Sequence, residues 1–131
     1  MKYKNILIIM IITILFTGCS ASKKDELLNE GKLALERHEY TKAQELLSQA
    51  LTADSTNENA RSMYIQAVKM KDAAEYEEKK NYDKAIACLE AIENLKGGSS
   101  DIKNEASKKK KELIKLNEEY KKAQEERKEN A

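Results

Sequence analysis

The residues of this chain that could do chemistry are few: two cysteines, one histidine, and many carboxylates and amines among 131 residues. Cys19 follows Lys2, Lys4, an uncharged run from Ile6 to Phe16, and then Thr17 and Gly18. A charged start, an apolar stretch and small residues form the layout of a cleavable export signal. The stretch stops short of the about 20 apolar residues that cross a bilayer. Cys88 lies in AIACLEAI, with Ala85, Leu89 and Ile92 at helical spacing, and reads as a small buried hydrophobe rather than a reactive thiol. With one thiol left after the signal and its cysteine, no internal disulfide and no zinc set is expected. His38 falls in a turn between expected helices, exposed to solvent, with no serine or cysteine constellation beside it. Glu75, Glu77 and Glu78 stand in charged helical sequence, not in the apolar surroundings that tune a catalytic acid. These residues point away from an enzyme, a cofactor, a metal site or a small-molecule substrate. The catalytic alternative is a wall hydrolase or transferase working through surface carboxylates. It requires two acids facing each other across an apolar cleft.

The 24 basic and 23 acidic residues give a formal charge of +1, and loss of Lys2 and Lys4 with the signal changes it to −1. No basic excess remains to hold a nucleic-acid backbone. Lys108 to Lys111 is the one concentrated run of charge. Glu105, Glu112, Glu118 and Glu119 surround it at spacings that allow ion pairs, so a solvated face is expected there rather than a patch for anionic lipid or wall polymer.

Phe16-Thr17-Gly18-Cys19 resembles the lipobox of bacterial lipoproteins, in which an apolar residue and two small ones precede the cysteine. Phe16 stands where leucine is commoner. The resemblance implies cleavage after Gly18 and a diacylglycerol, with palmitate-type chains, on the sulfur of Cys19. One short chain holds a protein to a bilayer only marginally, whereas two on one residue hold it durably, at about 0.8 kcal/mol per buried methylene. The implied division is a signal peptide at 1–18, a lipidated cysteine and tether at 19–23, and the remainder on the extracytoplasmic face of a cell membrane or envelope.

Beyond the tether the sequence reads as helix throughout. There is no proline, and the only glycines after the signal are Gly31, Gly97 and Gly98. Leu27, Gly31, Ala34 and Leu35 make one stripe of a first helix ending near His38. A second helix is expected from Thr41, with Thr41 and Gln44 as a capping box and Ala43, Leu46, Leu47, Ala50 and Leu51 inward. Ser55 to Glu58 reads as another capping box, opening a long helix to about Lys79 that carries Ala60, Met63, Tyr64, Ala67, Met70, Ala73 and Tyr76. Asn81 or Asp83 caps the next, with Ala85, Cys88, Leu89 and Ile92 inward and Gly97-Gly98 closing it. From Ser99 a last helix carries Ile102, Ala106, Lys109, Leu113, Leu116, Tyr120 and Ala123 as a seam. Past Ala123 it is expected to fray.

EYTKAQELL at Glu39–Leu47 and NYDKAIACL at Asn81–Leu89 repeat with an offset of 42 residues. With Leu27, Gly31, Tyr40, Ala43, Leu47, Ala50 and Leu51 in the first copy and Tyr76, Tyr82, Ala85 and Leu89 in the second, they resemble tetratricopeptide repeats over 24–95. Glu30, Ser55, Lys69, Asp72 and Ala73 depart from that pattern, and the offset exceeds the family's period of 34 by about two helical turns. The expected fold is all-α: a short array of antiparallel helix pairs with a long C-terminal capping helix at 99–131. The tyrosines ahead of each second helix are expected to wedge the pairs apart, and the alanines to let them approach. The resemblance implies a concave groove for a protein or peptide partner, lined by Leu28, Lys32 and Leu35 from the first copy and Met70, Ala74 and Glu77 from the second. It is open only if the last helix does not fill it. The reading is a monomeric, lipid-anchored adaptor; its structural rival is a spacer that self-associates through the C-terminal seam.

Overall fold

The computed structural model describes residues 23–131 and consists of helices joined by short turns. Helix α1 covers 23–36, α2 Tyr40–Ala53, α3 Glu58–Glu78, α4 Tyr82–Glu93 and α5 Ser100–Glu129. Consecutive helices pack in pairs, and α5 lies along α4. The all-α array with a long C-terminal helix is therefore the observed fold. The lipobox and Cys19 lie outside the described residues.

The repeat is visible in the backbone. At the end of α1, Glu39 N–H donates to the Ala34 carbonyl (2.9 Å) and His38 N–H to that of Leu35 (3.0 Å), with His38 at φ 62°. Forty-two residues on, Asn81 N–H donates to Tyr76 (2.8 Å) and Lys80 N–H to Glu77 (2.9 Å), with Lys80 at φ 55°. This is the double bond that closes a helix through one left-handed residue. Glycine usually takes that place, since the left-handed conformation costs other residues about 1–2 kcal/mol. Each turn then delivers a tyrosine to the start of the next helix.

One hydrophobic cluster runs through all these helices, with Leu35, Leu47, Met63, Leu89, Ile92, Ile102 and Leu113 essentially without exposed surface. Burial of each such side chain contributes about 1.5–3 kcal/mol. Gly31 permits the close crossing of α1 on α2, because a Cβ there would lie 2.7 Å from Leu47 Cγ. Cys88 is buried among these residues, and burial pushes its thiol up.

Several local expectations are corrected. Helix α2 starts one residue early, at Tyr40, and its N-cap, Glu39, makes no side-chain capping bond, so Thr41 is not a cap. Helix α3 is capped by Asn57, which accepts from Ala60 N–H, rather than by Ser55. Asp54 instead holds Thr56 through both its N–H and its hydroxyl, and this turn displaces the cap by two residues. Helix α4 ends at Glu93, ahead of the glycines. Gly98, at φ 94°, serves the approach of the loop to α3: a Cβ there would lie 2.6 Å from Gln66 Oε1. Helix α5 continues past Ala123 to Glu129, with Arg127 and Lys128 in its last turn, where cations suit the helix dipole.

Gln66 fixes where α5 begins. Fully buried on α3, it donates to the Ser99 carbonyl (2.9 Å) and accepts from Ser99 N–H (2.8 Å). Ser99 Oγ donates to Glu36 on α1 (2.8 Å), and Asn59 accepts from Gly98 N–H (2.9 Å). The start of α5 is thereby tied to α1 and α3 as well as to α4.

Candidate functional site

The two repeated turns are not level. Helix α5 meets the first at Glu105, whose carboxylate is 2.9 Å from His38 Nε2, and the second at Tyr120, whose ring stands edge-on to Tyr82 at 5.5 Å. Fifteen helical residues separate these contacts on α5, roughly 22 Å at 1.5 Å per residue. The α3–α4 hairpin thus projects past the α1–α2 hairpin, and the added two turns of α3 form a step.

A recess of about 280 Å³ opens at that step. Tyr40, Met70, Ala73, Ala74, Leu89 and Leu113 give it an apolar lining, and Glu77, Glu105 and Lys109 its charges. Lys109 Nζ lies 2.8 Å from Glu77 Oε1, which explains a lysine in an otherwise apolar seam: it bridges α5 to α3 at the recess. Burial, and then the charge of Glu105, push the Tyr40 phenol from 10.0 up to about 12.

The six expected groove residues divide. Met70, Ala74 and Glu77 converge on the recess. Leu28 is partly buried against the core, and Lys32 is exposed, 3.8 Å from Glu36. Leu35 is 0% exposed and offers no surface to a partner. Helix α5 reaches across to the end of α1 through Ser99–Glu36 and Glu105–His38. The expected groove is thus bridged beside α1, while the recess at the step is open.

Two acids, Glu77 and Glu105, do overlook an apolar floor. Each is engaged, by Lys109 and His38 respectively. Among the described residues, no group of three or more His, Cys, Asp and Glu is placed to hold a metal ion.

The lysine run is divided between helices. Lys110 is paired with Glu93 and lies 3.9 Å from Glu90, so the Glu93 carboxyl is held below its usual range and the Lys110 amine raised. Lys109 belongs to the recess, and Lys108 and Lys111 are exposed. Beyond the recess, Asp83 is bound by Asn117 (2.7 Å) and Lys121 (3.1 Å), which lower its pKa.

Sequence reasoning left out Gln66 and did not connect His38 with Tyr40 and Glu105. The seam lysine was the one visible sign that α5 carries a polar contact there. No family model, no curated protein and no solved structure matches this chain.

Proposed function

We propose that this chain is a lipid-anchored extracytoplasmic protein whose helical array, built like tetratricopeptide repeats, binds another protein at the step between α3 and α5. The supporting observation is the recess itself: Met70, Ala74 and Leu113 form an apolar floor where α3 outruns α1, with an ion pair at its edge. Exposed apolar surface rimmed by polar residues is a common mark of a protein-interaction site. The anchor rests on Phe16-Thr17-Gly18-Cys19. None of the described helices is long and apolar enough to cross a membrane.

Two substitutions in the full chain test the two halves separately. Cys19→Ala should abolish labelling by a fatty-acid analogue and release the protein from the membrane fraction; unchanged labelling would refute the anchor. Ala74→Arg should leave the helical circular-dichroism spectrum intact, since Ala74 is exposed, and remove co-purification of the partner from intact cells. Undiminished recovery of the same partner would refute the recess.

A further inference from the structure

Helix α3 ends at Glu78, so α5 continues without that neighbour on the side facing the recess. There Leu113 forms part of the recess wall, Leu116 is 39% exposed, and Tyr120 comes next, partly buried against Tyr82. Three- and four-residue steps place these on one stripe. Glu105, Glu112 and Glu119 recur at seven-residue steps and form a row along the edge of that stripe. Glu105 lines the recess; Glu112 and Glu119 are exposed, and neither is within ion-pairing distance of a cation among the described residues. Lys108, Lys115 and Lys122 form the next row outward, farther round the helix from Leu116.

We propose that the recess, continued by Leu116 and bordered by Glu105, Glu112 and Glu119, receives one amphipathic helix of a partner protein whose basic residues recur at the same seven-residue step. The proposal rests on the protein-binding reading and supplies the partner's chemistry. An apolar stripe with a charged border suits the docking of an amphipathic helix. The glutamates stand about 10.5 Å apart along α5, a distance that seven residues of a parallel or antiparallel helix reproduce. Three residues of an extended peptide cover about 10 Å but turn the side chain to the opposite face. A second copy of this chain is a poor occupant in antiparallel pairing, because that would set this glutamate row against its equivalent. Lysine or arginine at the matching positions removes that conflict.

The test uses two synthetic helices of about 21 residues, ~30 Å long, with identical leucine stripes, one flanked by lysines at the heptad positions and the other by glutamates. They are titrated by fluorescence anisotropy against the full chain in detergent. The lysine-flanked helix is expected to bind at least about tenfold more tightly, and to lose about that factor between roughly 0.05 and 0.5 M salt. The double variant Glu112→Lys, Glu119→Lys should reverse the preference, and Leu116→Asp should weaken both peptides with the helical spectrum unchanged. Equal binding of the two helices, or indifference to all three substitutions, would overturn the proposal. Photocrosslinking in cells separates it from the broader reading. A protein captured from Ala74 or Leu116 through an acidic or an extended segment overturns the basic-helix inference and leaves the adaptor standing. No protein adduct from either position removes both.

Discussion

At the scale of single residues, the buried polar contact of Gln66 with Ser99 adds to an apolar core that sequence pattern largely reveals. Gln66→Ala would leave the buried N–H of Ser99 without a partner, while the Ser99 carbonyl keeps its bond from Lys103 N–H (3.2 Å), and should lower unfolding free energy by about 1–3 kcal/mol in denaturant titration. Tyr40 gives a second test. Folded, it holds its proton to about pH 12; unfolded, it loses it near 10.0. The unfolded chain then binds fewer protons than the folded one across that window. This contribution to stability is therefore complete below pH 10 and lost as pH rises toward 12. Tyr40→Phe should flatten that part of the curve of melting temperature against pH. Cys88 was legible as core from its three- and four-residue neighbours. Gln66 was not, because a glutamine in a helix carries no mark that separates a buried bidentate amide from a surface one. Leu35 was misplaced for a related reason: helical spacing gives a face but not what covers it.

At the scale of elements, the helices and their order were legible because proline is absent and the apolar steps are regular. The turns were less so. Capping boxes at Thr41 and Ser55 match in residue type, yet the caps are Glu39 and Asn57, since Asp54 and Thr56 bond to each other and the left-handed His38 sets the entry to α2. Asn57→Ala should cost about 1 kcal/mol of stability, as loss of an N-cap generally does. Lys80→Gly should instead stabilise by about 0.5–1 kcal/mol, because glycine takes the φ of 55° without the steric penalty. Both are read from denaturation midpoints. Lys80 is the cleaner of the two repeated turn positions, since His38 also bonds to Glu105.

At the scale of the whole molecule, the 42-residue offset becomes a step. It was readable as two extra turns in α3, but its consequence depends on the path of α5, which bridges the face beside α1 and leaves the other end open. Long-range ion pairs hold that arrangement, and they give the molecule an acid limit. Asp54, bonded to Thr56 and Lys24, is held down to about 2 from 3.8, and Asp83 and Glu93 are lowered by their partners on α5. Carboxyls with depressed folded pKa values add stability above their unfolded pKa and lose it as pH falls through the folded one. Melting temperature should therefore hold down to about pH 4 and fall toward pH 2, and Asp54→Asn should reduce that fall. The spacer alternative predicts dimers, whereas the adaptor reading predicts a monomer in sedimentation at micromolar concentration. The proposed function requires a protein partner to dock at the step. The sharpest test is a photoreactive residue at Ala74 in intact cells, with Leu33 on α1 as the control, since Leu33 is 50% exposed and does not line the recess. One discrete protein adduct is expected from position 74 and none from position 33. The same adducts from both positions, or none from either, would contradict docking at the step.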